Sequence, residues 1–401
     1  MKELILISHV VNPSLSEGFL PAALKLGLRV VLLTDCAEQQ RHHFSQQDLS
    51  AYPDEIIACD VFNPIAVIEA ISLRENDPVA IFSNSDHLQT STAIAANYFA
   101  LPGKDWRVAY RAKNKAEMRT YMKVQQIDQL WHALVRDPAS LTKVASEVPY
   151  PCVIKPREGV ASEQVFLAEQ SRDLEAYCDA AWNNQPGQEL LIEPYLEGEL
   201  YTLETLGDGK KLQVLGGFRV SLSPPPRFVE LQAHWGTGLS VAQQDEVLKQ
   251  ISDFGIGFGA CHTEFVLTAD GPRLIEINYR SIGDRRDFLM QDALDINYFE
   301  TVLHLHMGEP LEILPESSGA AAIHYFTPSK EGLIVNAPEA FRCDEENMSL
   351  SYQPLRKSGE QLALSHSNRD YLGVMSGTGP DATLLGDFMA QHSAALNWEI
   401  R

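Results

Sequence analysis

His262-Thr263-Glu264-Phe265-Val266-Leu267, the turn Ala269-Asp270-Gly271-Pro272 and the run Leu274-Ile275-Glu276-Ile277-Asn278-Tyr279-Arg280 read as one hairpin. Two β-runs joined by an Asp-Gly turn bring Glu264 and Glu276 together, and Asn278, two positions beyond Glu276, falls on the same strand face. Arg280 shares that face, a cation placed where anionic oxygens would lie. Hard oxygen donors of this kind suit Mg²⁺, which takes one or two carboxylates and leaves its other positions to water and phosphate oxygens. A surface hairpin with solvated acids is the competing reading of these residues alone, and the motifs ahead of the hairpin weigh against it.

Upstream, Pro149-Tyr150-Pro151-Cys152-Val153-Ile154-Lys155-Pro156 is a short apolar strand ending in a lysine. Arg157-Glu158-Gly159-Val160-Ala161-Ser162 follows, small and flexible, and then a second strand over residues 164–167. Two strands joined by such a loop can fold over phosphates and offer backbone N–H groups, while the lysine supplies a point charge. Further on, Leu190-Leu191-Ile192-Glu193-Pro194-Tyr195-Leu196-Glu197-Gly198-Glu199 is an apolar strand broken at Pro194 and Gly198. Its irregular middle leaves backbone donors and acceptors free for an adenine edge, with Glu199 placed to accept from ribose hydroxyls. An ordinary strand–turn–strand with solvated acids is the alternative.

The chain of 401 residues is longer than one core usually holds, so two or three subdomains are expected. Its 32 basic and 54 acidic residues give a net charge of −22, which argues against a nucleic-acid partner or an anionic membrane surface. Any phosphate site must then be built locally from a few Lys and Arg, helix N-termini and bound metal. Met1-Lys2 leads directly into Leu4-Ile5-Leu6-Ile7 with no signal-peptide pattern, and no run reaches membrane-spanning length, so a cytoplasmic protein is expected. The six cysteines lack paired spacing and read as reduced packing residues.

The first hundred residues alternate strand-like and helix-like segments, the pattern of a parallel sheet wound with helices. Asp35 and Asp86 fall just beyond strand ends, where such sheets place ligands, although helix N-capping is the preferred reading of both. Gly255-Ile256-Gly257-Phe258-Gly259 lacks the spacing of a nucleotide fingerprint and reads as a helix end turning into the strand that carries Glu264.

In order, the chain presents Lys115, Lys155, the 193–199 break, and then Glu264, Glu276 and Asn278. That succession resembles the ATP-grasp superfamily, most strongly from Lys113 to Arg280. The resemblance implies an α/β and α+β architecture: an N-terminal parallel-sheet domain over residues 1–110, a lid subdomain with phosphate loop and adenine hinge over 111–205, a metal and substrate subdomain over 206–310, and a mixed α/β cap over 311–401. It implies ATP and Mg²⁺, with Mn²⁺ as a substitute. By position, Lys115 and Lys155 match phosphate-contacting lysines, and Gly159, Ala161 and Ser162 match the mobile flap. Glu193, Tyr195 and Leu196 match the adenine hinge, with Glu199 on ribose. Glu264, Glu276 and Asn278 match metal ligands, and Arg280 matches the arginine facing the transferred phosphoryl group. Ser281-Ile282-Gly283-Asp284-Arg285-Arg286 departs from the glycine pair common at that point, which implies a differently shaped, more cationic acceptor pocket.

The family's usual reaction joins a small carboxylate to an amine through an acyl phosphate, giving ADP and phosphate, and needs no protein nucleophile. Arg219, Glu230, His234, Arg285 and Arg286 are the substrate-pocket candidates, the last two as a pair that could hold a polycarboxylate. The stretch from His9 to Pro21 resembles siderophore-biosynthesis ligases of the vibrioferrin type. A carboxylase or phosphotransferase of the same superfamily, and a non-catalytic nucleotide-binding protein, are the alternatives. A homodimer is the default assembly.

Overall fold

Residues 3–7 and 29–34 are nearly unbroken apolar runs, and strands of that kind persist only where both sheet faces are covered. The computed structural model, which describes residues 2–46, 49–315, 319–345 and 347–401, places them at the centre of a parallel sheet. Strands β1 (Glu3–Ile7), β2 (Arg29–Thr34), β3 (Glu55–Ala58) and β4 (Pro78–Phe82) lie in the order β3-β2-β1-β4, all parallel. The order reverses between β1 and β4, so the crevice beyond their carboxyl ends is where such a sheet receives ligands. Ser8-His9, Asp35 and Asn84-Ser85-Asp86 lie there.

A second sheet holds β5 (Ala133–Val135), β6 (Cys152–Pro156), β7 (Phe166–Ala168) and β8 (Leu190–Pro194) in the antiparallel order β5-β8-β6-β7. The helix Ser171–Asn184 covers it, burying Leu174, Cys178 and Trp182 against Cys152, Ile154 and Ile192. The loop between β6 and β7 carries Gly159, Ala161 and Ser162, for which a flap is expected.

The largest sheet begins with β9 (Glu199–Asp208), β10 (Leu212–Gly216), β11 (Phe218–Leu222), β12 (Glu230–Trp235), β13 (Phe258–Thr268), β14 (Gly271–Asn278) and β15 (Ala320–Phe326). After these come β16 (Gly332–Asn336), β17 (Phe341–Glu345), β18 (Met348–Pro354), β19 (Gln361–Leu362), β20 (Gly373–Gly379) and β21 (Glu399–Ile400). The order β14-β13-β9-β11-β12-β15-β20-β18-β17, with β10 on β9, makes one antiparallel sheet of ten strands. β16, β19 and β21 form a small sheet beside it. Residue 310 therefore separates strands of a single sheet, and residue 205 falls inside β9. The mixed α/β and α+β architecture with a parallel N-terminal sheet is as expected.

The two faces of β9, β13 and β14 do different work. Tyr201, Leu203, Cys261, Phe265, Leu274 and Ile277 pack on one side with buried residues of the helices Trp106–Lys113, Lys115–Val124 and Val241–Phe254. Residues 204, 262, 264, 276 and 278 alternate with them and point to the other side, toward the helix Tyr298–His306 and the N-terminal sheet. Gly255, in the left-handed conformation at φ 108°, ends the helix Val241–Phe254 as the glycine-rich stretch implied. All six cysteines are free.

Candidate active site

Glu264 and Glu276 face each other directly across the β13–β14 ladder, and Asn278 is paired with His262. Asn278 Nδ2 lies 3.4 Å from Glu264 Oε1, so the three predicted donors converge on one patch. Two carboxylates and an amide are a hard-donor set, and that set fits Mg²⁺.

The helix Lys115–Val124 starts at Asn114, whose side chain caps it on the N–H of Glu117, and this start aims Lys115 into the patch. Lys115 Nζ donates to Glu276 Oε1 at 2.7 Å and to the carbonyl of Gly159 at 2.7 Å. One buried ammonium thus joins the acid hairpin to the flap. Burial disfavours its charge, yet Glu276 beside it raises the pKa of Lys115 above the ordinary lysine value.

Lys155, at the end of β6, donates to Glu193 Oε2 at 2.6 Å, and Arg119 holds the other oxygen of the same carboxylate. All three are buried. Against the burial that would raise it, Arg119 and Lys155 hold Glu193 down at about 2. Glu193 is thereby a charge-compensated anion at the end of β8, where the hinge is expected. The Tyr195 N–H is used by the carbonyl of Pro151 at 2.9 Å, and the Leu196 N–H makes no hydrogen bond within the described residues. Glu199 is exposed and bonded to Arg219 and, at 2.6 Å, to the Tyr201 hydroxyl.

Arg280 departs from the strand-face expectation. β14 ends at Asn278, and the Arg280 N–H turns back onto the Asn278 carbonyl at 2.7 Å, so strand alternation stops before it. Its guanidinium donates to the Ser281 carbonyl at 2.9 Å and lies 3.6 Å from Asp86. Asp86 in turn takes Lys113. Burial would raise Asp86, but Lys113 and Arg280 keep it well below the usual carboxylate range. Neither Asp86 nor Asp35 is the N-cap expected: Asp86 belongs to this ion network, and Asp35 binds His9 Nδ1 at 2.8 Å. His9, Asp35 and Cys36 form the one three-residue group of His, Cys, Asp or Glu ligand atoms within 4.8 Å of one another among the described residues.

The five substrate candidates separate. A register shift in the β11–β12 ladder divides Glu230, which is buried, from Arg219 and His234, which are paired in register and exposed. Arg219 sits with Glu199, and Arg285 makes a two-pronged pair with Glu17 at 2.8 and 3.0 Å. Arg286 is buried against Glu230. Burial pushes Glu230 above the ordinary glutamate value against the opposing charge of Arg286, and the charge of Glu264 adds to the rise. In this arrangement both arginines already have carboxylate partners.

His262 and Glu204 were missing from the sequence reading. His262 bonds Glu204 at 2.8 Å through Nδ1 and Glu264 at 3.2 Å through Nε2. Burial alone would lower its pKa, but the two glutamates raise it to about 9, and Glu264 is held at about 2, where the His262 hydrogen bond and charge outweigh burial. An imidazolium therefore props the predicted metal ligand. The signal was present: His262 lies two positions before Glu264, on the same strand face.

Residues 121–284 match the ATP-grasp domain family. A curated relative from Sinorhizobium fredii, the uncharacterized protein y4rH, is 26% identical over 292 residues, which take in 70% of this chain and 60% of that protein. The backbone superposes on L-amino acid ligase from Bacillus licheniformis with a TM-score of 0.79 at 18% identity, covering 100% of this chain and 99% of that one. The biotin carboxylase domain of the Hydrogenobacter thermophilus 2-oxoglutarate carboxylase, solved with MgADP and bicarbonate, gives a TM-score of 0.70 at 16% identity over 100% and 91% of the two chains. The chain thus has the fold of these proteins, and its residues 121–284 match the ATP-grasp domain.

Proposed function

We propose that the protein is an ATP- and Mg²⁺-dependent ligase that joins a small carboxylic acid to an amine or amino acid through an acyl phosphate. The observation that carries this reading is the Lys115 ammonium, shared between Glu276 of the acid hairpin and the Gly159 carbonyl of the flap. Such a bridge marks a cleft built for anionic oxygens, because a buried ammonium that now compensates Glu276 can exchange that partner for phosphate. The ligase and the MgADP-bound carboxylase domain among the structural relatives support the same reading.

In this reading Glu264, Glu276 and Asn278 hold Mg²⁺, which neutralises charge on the transferred phosphoryl group. Lys115 and Lys155 bring cations to the phosphate oxygens, and the loop carrying Gly159, Ala161 and Ser162 folds over them and excludes water from the acyl phosphate. Leu196 offers its free N–H to the adenine edge beside Glu193 and Tyr195, while Glu199 turns from Arg219 to ribose. Arg280 faces the phosphoryl group. Glu230 and Arg286, a buried ion pair, line the acceptor side. No side-chain nucleophile is required, since catalysis here is positioning and charge stabilisation. A siderophore-type or dipeptide-type product is the narrower form of the same proposal.

Phosphate release from MgATP, measured across a matrix of small carboxylates against small amines with product mass read in each positive well, tests it. Release only when both partners are present, with a product equal to their sum less water, is the expected result. Release driven by bicarbonate with no amine would instead favour a carboxylase.

A further inference from the structure

The flap carries three non-glycine residues in the left-handed region within four positions, Ala161 at φ 56°, Ser162 at 55° and Gln164 at 55°. Each costs of order 1 kcal/mol and persists only where surroundings over-determine it. Gln164 is held from its own subdomain, by the Tyr177 hydroxyl on its carbonyl at 2.6 Å and by Gln188 on its side chain, and the rest of the flap is held from the far end of the chain. The Ala161 carbonyl accepts the N–H of Asn368 at 3.0 Å, and Glu163 pairs with Arg369 Nε at 2.7 Å. At the flap's other end, the Leu167 N–H reaches the Pro226 carbonyl at 3.3 Å, just ahead of Glu230.

Asn368 then continues inward. Its Oδ1 accepts the backbone N–H of Glu230 at 3.1 Å, and its Nδ2 donates to Glu230 Oε1 at 3.1 Å. The other oxygen of Glu230 holds Arg286, and the Tyr371 hydroxyl donates to the Glu230 carbonyl at 2.8 Å. The segment is itself braced. Asp370 accepts the N–H groups of Ser365 and His366 at 2.7–3.0 Å, and His366 is left-handed at φ 54°. Asn368 is buried, whereas Arg369 reaches solvent.

We propose that residues 365–371 are a latch for the flap, and that Asn368 is a positioning residue that transmits flap closure to the Glu230–Arg286 pair. This rests on the ligase reading for the identity of the site, and deepens it: the acceptor side is held in place by the latched flap. Backbone and side chain divide the task. The Asn368 N–H fastens the flap, and its carboxamide fixes the acceptor-side carboxylate.

Hydrogen exchange of the full chain, with and without MgADP, tests the proposal, with calorimetric MgADP binding as a separate readout. Arg369→Glu should raise exchange across residues 157–165 several-fold, and the reversed pair Glu163→Arg with Arg369→Glu should restore protection. Asn368→Ala keeps the N–H that meets Ala161. It should therefore leave flap protection near that of the parent while abolishing the MgADP-induced change around residues 229–231 and 285–290. Unaltered flap exchange in Arg369→Glu, or no rescue by the reversed pair, overturns the latch. A persistent response at 229–231 in Asn368→Ala overturns the transmission. Should that variant fail to fold, Asn368→Asp, which keeps the acceptor for the Glu230 N–H but repels its carboxylate, takes its place with the same expected loss. Absence of MgADP binding in the parent chain would count against the nucleotide site, and the latch is then decided on nucleotide-free exchange in the charge-reversed variants.

Discussion

Glu276 lies on a strand whose apolar neighbours Ile277 and Leu274 stay packed whatever occupies position 276, so Glu276→Ala should abolish turnover in a protein that still folds, with a lower melting temperature because the buried Lys115 loses its carboxylate. Normal turnover would remove the hairpin from the site. Lys155 differs, because it also shields the buried Glu193. Lys155→Met should weaken ATP binding and also lower stability by about 1–3 kcal/mol, a range set by Arg119 remaining on the same carboxylate. ATP affinity by calorimetry and a urea midpoint separate the two effects. His262 gives a pH signature. Its folded pKa is raised from 6.5 to about 9, so its contribution is complete below 6.5 and fades as the pH rises through 9. The metal-free protein should lose stability over that window, and His262→Gln should flatten the loss. At this scale sequence reading found residues that carry motifs by type and order, and it missed His262, Glu204, Arg119 and Asn368. His262 had a local signal in its spacing to Glu264, whereas Glu204, Arg119 and Asn368 act through partners far away in the chain, such as His262 across from Glu204, and the register reveals them.

The hairpin was legible because turn chemistry and period-two alternation agree over residues 262–278, and the structure pairs Glu264 with Glu276 accordingly. The hinge was legible for a similar reason: proline and glycine interrupt an apolar run. Gly198 sits at φ 154°, and a Cβ there would fall 2.3 Å from the Leu267 carbonyl of β13. Gly198→Ala should therefore cost stability through both strain and clash, by about 2 kcal/mol or more, read as a lower denaturant midpoint at unchanged slope. A parent-like midpoint would mean that β9 and β13 part easily at that end. Arg280 shows the limit of pattern reading, since alternation holds only while the strand lasts and β14 stops two residues earlier. The separation of Glu230 from Arg219 and His234 was likewise hidden, because a register shift in β11–β12 is invisible in composition.

Over the whole molecule, the alternating N-terminal segments announced a parallel sheet, and the structure has one, in the order β3-β2-β1-β4. The C-terminal ninety residues were harder to place. Their strands are short and mixed in polarity, and what organises them is pairing with β12, a partner more than eighty residues away in sequence. Phe218, Val220 and Ala233 of the central strands share one core with Ile323, Tyr325 and Val374. A chain cut after residue 310 would strip the β15 side from β12 and leave a row of unsatisfied N–H and C=O groups over a bared apolar face. Such a fragment should be recovered as aggregate, and its solubility on expression is the check. Anyone recombining this protein with its relatives should accordingly treat residues 199–379 as one cassette, and place crossovers ahead of the flap or in the connection before β5.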